Sequence, residues 1–215
     1  MTSHAPSPDE PESTPSIEDG EEIELRIKGS RFLAQAFHVE DVELVNEKLT
    51  HLRRRYHDAS HHCWAARLKS SGSLVERSDD DGEPSGTAGV PILGALQRAK
   101  LYDAFVVVTR YFGGTKLGRG GLVRAYSDAA RSALEIAPRK RIWHDAFLTV
   151  ECSFEDLGTV EAQLARSAAA VKSIERDFSG TPRLHLRIRR SKALRVAEEI
   201  REATGARARL SWQES

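Results

Sequence analysis

Residues 79–127 read DDDGEPSGTAGVPILGALQRAKLYDAFVVVTRYFGGTKLGRGGLVRAYS, and the order of these pieces decides how the first half of the chain folds. An acidic, glycine-containing loop opens onto an apolar helical stretch entered through Pro91. A short connection leads to the β-branched run Ala104–Arg110, and a second glycine-rich loop passes straight into another helical stretch. The run at 104–110 is continuous rather than alternating, which predicts a central strand buried on both faces. Gly113, Gly114, Gly118, Gly120 and Gly121 crowd the second loop; glycine serves where φ is positive or where another group approaches the backbone closely. The Walker phosphate loop is excluded, because Gly118 is followed by Arg119 and Gly120 rather than by Lys and Ser or Thr. The dinucleotide fingerprint fails too, since Val123 stands where a glycine or alanine packs helix on strand. General anion chemistry remains: free amides at a helix N-terminus with cations beside them. The candidate anion- or ligand-binding set is therefore Arg110, Gly113, Gly114, Lys116, Gly118, Arg119, Gly120, Gly121 and Arg124. A tight strand-to-helix connection carrying solvated cations would use the same residues.

The acidic loop offers Asp79, Asp80, Asp81 and Glu83. Clustered carboxylates can hold Mg²⁺ or act as an acid–base pair. Turn chemistry is the favoured explanation: Asp and Gly favour turns, Pro84 stiffens the loop, and Thr87 can cap the next helix. Ser85 sits in Pro-Ser-Gly, which is no nucleophile elbow. His57, His61, His62 and Cys63 invite zinc, but strand spacing sends His61 and Cys63 to one face and His62 and Trp64 to the other, with no second ligand pair. No metal, cofactor or catalytic residue is assigned.

Outward from this stretch, Ile23, Leu25 and Ile27 alternate, Lys28-Gly29-Ser30 turns, and Phe32–Val39 resumes, the pattern of a hairpin. Val42, Val45, Leu49, Leu52 and Tyr56 recur at helical spacing, with acids at the start and Arg53–Arg55 at the end, as a helix dipole favours. In the helix after the second loop, Leu122, Tyr126, Ala129 and Ala133 share a face, and Arg124 and Asp128 stand four residues apart, a spacing that predicts a pair. Pro138 ends that helix.

The chain of 215 residues is 40% hydrophobic and 30% charged with formal net charge zero, enough for one large or two small cores. The charge is uneven: residues 1–22 carry seven acids and no Lys or Arg. That segment, rich in Pro and Ser, is expected to be a disordered acidic tail that can be deleted without loss of folding. It has no apolar signal-peptide core, and no later run is long enough to span a bilayer, so a cytoplasmic protein without membrane contact is expected. Cys63 and Cys152 form no disulfide framework.

Residues 139–215 read strand, helix, strand, strand, helix, strand, with the first strand over Ile142–Cys152, a ferredoxin-like order expected to fold alone. Ser153 with Asp156 resembles a capping box, Ser191 can cap the second helix and Gly205 can close it. Alternation in Arg183–Arg189 and Ala206–Trp212 predicts an outer sheet face bearing Arg183, Arg187, Arg189, Arg207 and Arg209, with Trp143 and Phe147 beside them. Such a face is a candidate for single-stranded RNA, although the aromatic RNP1 string is missing and basic residues on an open antiparallel face are ordinary.

SDDDGEPSGTAGVPIL at 78–93, VVVTRYFGGTKLGRGGLVRAYSDA at 106–129, SRFLA at 30–34 and HDASHHCWA at 57–65 together resemble the signature of the IMPACT (YigZ-like) family. The sequence departs from it at Thr115, Arg119 and the third aspartate of Asp79–Asp81. The resemblance implies an α+β protein of two domains: residues 23–138 of the left-handed βαβ type seen in the second domain of a small-subunit ribosomal protein, and 139–215 like the ferredoxin-like modules of elongation factor G. It further implies a translation-associated regulatory protein, since eukaryotic relatives are linked to translational control through a protein activator of a starvation-responsive kinase. Candidate partners are RNA, the ribosome or a translation-control protein. The alternatives are a metal-assisted hydrolase of phosphate esters or peptides using the acidic loop, and a pure protein adaptor.

Overall fold

A computed structural model describes residues 5–6, 11–69 and 73–213. Its contacts divide the chain into one unit spanning Thr14–Ile142 and a second that begins at Trp143 and takes in the described residues before Thr14.

The first unit holds a five-stranded sheet and a two-stranded one. The segment Ser13–Ile17 forms β1; β2 (Ile23–Ile27) and β3 (Ser30–His38) make the expected hairpin, followed by α1 (Val42–Arg55), β4 (His61–Leu68), β5 (Val75–Asp79), α2 (Gly89–Arg98), β6 (Ala104–Tyr111), α3 (Gly118–Ile136) and β7 (Arg139–Trp143). The main sheet runs β2-β3-β6-β4-β5. As the unbroken apolar run requires, β6 is central and buried through seven consecutive residues. Its pairings with β3 and β4 are both antiparallel, so β3 and β4 point the same way and α1 crosses between them. Alternation splits β6: Val106 and Val108 join Phe32, Cys63, Ala65 and the Ala-rich faces of α2 and α3, while Phe105 and Val107 join Trp64 and the Val45, Leu49 and Leu52 stripe of α1. Asp41 caps α1 by accepting from Leu44 N at 2.7 Å, and Arg53–Arg55 fall in its last turn, at the negative end of the dipole.

The expectation of disorder through residue 22 is overturned for the described part of the segment. β1 pairs with β7 in a two-stranded sheet, and Ile17, Thr14 and Ser16 are all buried. Beyond the strand, Glu18 N donates to Pro138 O, Gly20 N to Ala36 O, Lys48 to Asp19 at 2.7 Å, and Tyr56 Oη to Glu22. The composition is polar, but the backbone has ladder partners and one large side chain, Ile17, enters the main core. Residues 1–4 and 7–10 lie outside the described residues.

The second unit follows the order β8 (Asp145–Glu151), α4 (Phe154–Arg166), β9 (Val171–Asp177), β10 (Arg183–Arg189), α5 (Arg190–Ala203) and β11 (Arg209–Gln213). The sheet order is β11-β8-β10-β9, antiparallel throughout, with both helices contributing to one core: a ferredoxin-like βαββαβ arrangement. The single strand expected over 142–152 is two strands separated at His144, because β7 pairs with β1 whereas β8 pairs with β10 and β11. Ser153 caps α4 at Asp156 N, 3.1 Å. Ser191 does not cap α5; its hydroxyl donates to Glu12 instead. Gly205, at φ +57°, closes α5 with its N–H on Glu202 O.

Candidate functional site

The acidic loop between β5 and α2 is folded around its own carboxylates. Asp79 accepts from Asp81 N at 2.7 Å. Asp80 Oδ1 takes the amides of Ala88 and Gly89, both at 2.8 Å, and its Oδ2 takes Gly86 N at 2.7 Å. Those are the amides that open α2, so Asp80 is the anion its N-terminus attracts. Burial works against charging this carboxyl, but the amides outweigh it and hold Asp80 below the usual carboxylate range. Thr87, expected to cap the helix, donates to Pro84 O instead. Asp81 accepts from Arg53 at 2.6 Å and from His62 N at 2.7 Å.

Glu83 goes inward. Its Oε1 accepts from Arg110 Nη1 at 2.5 Å and from Tyr126 Oη at 2.8 Å, with His61 Nε2 at 3.9 Å. Arg110 Nη2 donates to Ser30 Oγ, which also accepts from Gly113 N, each at 3.2 Å. The guanidinium lies over the rings of Phe32 and Phe112, 5.4 and 5.6 Å from their centroids. Arg110 therefore leaves the expected anion-binding set: it is 4% exposed, and its charge is spent on Glu83. Cys63 Sγ lies 3.3 Å from Tyr126 Oη and 3.0 Å from Asp80 O; burial pushes its thiol pKa far up, so it stays protonated and unreactive. His61 Nδ1 lies 2.8 Å from Asp81 O. His62 is buried beside Asp81, and burial lowers its pKa. Among the described residues no His, Cys, Asp and Glu group has metal-holding geometry.

The second glycine loop is different. A Cβ on Gly113 would fall 2.0 Å from the Gly29 carbonyl carbon, so the β2–β3 turn and this loop touch backbone to backbone, which only glycine permits. Gly114, Gly118 and Gly120 face open space. No side chain caps α3, and Gly118, Arg119 and Gly120 are exposed, as is Lys116. Arg119 donates to Ser85 O at 2.9 Å, which ties this loop to the acidic one. The expected Arg124–Asp128 pair is absent: Asp128 is taken by Arg131 at 3.1 Å, leaving Arg124 exposed. Phe112, 49% exposed, stands where β6 enters the loop. Sequence reasoning missed Ser30, Phe112 and the inward use of Tyr126; the only sign of them was their place within the motif segments.

On the second unit the alternation holds, but the face is not uniformly basic. Arg183 faces Glu151 and Asp177, His185 faces Glu175, and Arg189 faces Asp145 across the ladders. Arg183 pairs with Glu151 at 2.8 Å, and Arg187 with the buried Asp145 at 2.6 Å. Arg209 is exposed opposite Glu151. Arg207 does not belong to the face: it precedes β11 and makes a bidentate pair with Asp156 in the first turn of α4. Arg189 lies 5.8 Å from the half-exposed Trp143 ring, and Phe147 stands opposite Arg187.

These features define a two-unit α+β protein whose acidic-loop carboxylates are all partnered within the first unit and whose second glycine loop is open. The family model described as Impact N-terminal domain matches residues 28–134. The chain is 35% identical over 164 residues to the IMPACT family member YvyE of Bacillus subtilis, covering 74% of this chain and 73% of that one. It is 37% identical over 142 residues to the IMPACT family member YigZ of Escherichia coli, covering 65% and 69%. A solved structure described as that of a hypothetical protein superposes with a TM-score of 0.70 at 29% identity, covering 95% of this chain and 98% of that chain. The chain belongs to the IMPACT family. No helix among the described residues is long and apolar enough to cross a membrane.

Proposed function

We propose that this chain is a translation-associated regulatory protein that acts by binding, and that the open N-terminus of α3 contacts phosphate groups of RNA. The observation that carries this reading is the contrast between two helices of one unit. The first amides of α2 are taken by Asp80 of the same chain, whereas those of α3 have no side-chain cap and are flanked by Lys116, Arg119 and Arg124, all exposed. Uncapped amides with nearby cations favour an anion, and Phe112 supplies a ring on which a base can stack. The link to translation follows from the family resemblance. Hydrolase chemistry is less favoured, because the carboxylates of the acidic loop already serve its own amides and cations. A protein partner is the second reading, favoured by the interleaved charges of the second unit's outer face.

Fluorescence anisotropy of the full chain with a labelled single-stranded RNA, over a range of salt concentrations, tests this. Lys116→Ala should weaken binding and reduce the log–log salt slope by about 0.7, the share of one phosphate contact. Binding that is absent or insensitive to salt, with a nuclease-resistant protein copurifying from cells, would replace RNA by the adaptor reading.

A further inference from the structure

On the second unit, a cleft of about 800 Å³ lies between the C-terminal end of α4 and one face of α5. Its acid Glu199 is fully engaged: Oε1 accepts from Arg195 Nε at 2.7 Å, and Oε2 from Ser167 Oγ at 2.8 Å and Gln163 Nε2 at 3.0 Å. With Glu199 neutralised by Arg195, the cleft presents Arg166, Arg189 and Lys192 against the single remaining acid Glu202. Arg189 is steadied against Trp143. The first turn of α5 has no side-chain cap of its own, and the positive end of its dipole lies at this end of the cleft; Ser191 there donates to Glu12. Val196, Ala170 and Ala203 form an apolar wall.

We propose that this cleft binds a small phosphate monoester, its phosphate held by Arg166, Arg189 and Lys192 and its organic part lying along Val196 and Ala203. The volume falls in the range of small-molecule sites. Guanidinium forks match phosphate oxygens two at a time and the ammonium adds a point charge. An anion offsets the excess of cations over acids; a neutral ligand would leave it uncompensated. This site is independent of the glycine loop of the first unit.

Isothermal titration of the full chain with adenosine 5′-monophosphate, inorganic phosphate and adenosine tests the proposal. The monophosphate binds, phosphate binds more weakly, and adenosine does not bind. The Arg166→Ala/Lys192→Ala double variant loses about tenfold or more in affinity for the monophosphate, with an unchanged thermal midpoint because both side chains lie at the surface. Arg131→Ala, on the exposed face of α3, leaves affinity as it was. Equal binding of adenosine and its monophosphate, full affinity in the double variant, or no heat with either phosphate probe at about 10 mM, a range that reaches even very weak sites, overturns it.

Discussion

Arg110 Nη1 donates to Oε1 of Glu83 with both side chains at most 5% exposed, which joins the central strand to the acidic loop through a buried ion pair. Because Tyr126 donates to the same oxygen, the pair also anchors α3. Removing one partner strands the other charge in the core. Glu83→Ala should therefore cost about 3–5 kcal/mol in urea unfolding. The double variant Glu83→Ala/Arg110→Met should lose less than the two single changes summed; strict additivity would show that the pair is not coupled.

Ile17 is fully buried in a segment whose composition suggests a tail. Ile17→Ala should destabilise by about 2–5 kcal/mol, and deleting residues 1–22 should lower the thermal midpoint sharply. Equal midpoints for the full and shortened chains would restore the dispensable-tail reading.

Two glycines of one loop should respond in opposite ways. Gly113→Ala collides with the Gly29 backbone and should destabilise the unit whether or not ligand is present. Gly120 lies in α3 with open space around it, so Gly120→Ala should hold or raise stability by up to about 1 kcal/mol. If phosphate approaches the α3 amides, the same substitution should weaken RNA binding; a Gly120→Ala protein that is stable and binds fully would rule out that approach.

Stability should fall in acid, and the sign follows from two carboxyls. Asp80 is lowered because the amides of Gly86, Gly89 and Ala88 outweigh its burial, and Asp145 because Lys172 and Arg187 outweigh its burial. A depressed folded pKa gives stability that is complete above the unfolded value near ~3.9 and is lost as pH falls through the folded value. Buried His62, whose pKa is lowered, should bring a small decline in thermal midpoint as pH falls below about 6.5, and the two carboxyls a steeper drop below about pH 4. Asp80→Asn should start less stable at neutral pH and show a shallower acid decline; an identical decline would remove Asp80 from the account.

Much of the fold was legible because periodicity is a local property. The unbroken run 104–110, the 3.6-residue stripe of α1, the Lys28-Gly29 turn and the strand–helix order after Pro138 each state in a few residues which side chains point together. The open backbone of the second glycine loop was legible in the same way, from its glycines. The acidic loop was not: three aspartates and a glutamate in five residues look alike in sequence, yet Asp80 caps the start of a helix and Glu83 enters the core.

By itself the sequence determined most of the elements, the two-domain order and the core-facing sides of the longer strands and helices, since these depend on neighbours a few residues away. Tertiary structure alone decided where the charges went. Glu83 meets Arg110 from 27 residues away and Arg183 meets Glu151 from 32, through strand register and loop closure that no local pattern encodes. Those meetings turned an expected anion ligand into a buried anchor and an expected basic face into an interleaved one. β1 has the same explanation: a polar strand carries little signal of its own, and what folds it is a ladder with β7, more than a hundred residues further along the chain, whose backbone hydrogen bonds are indifferent to side-chain type.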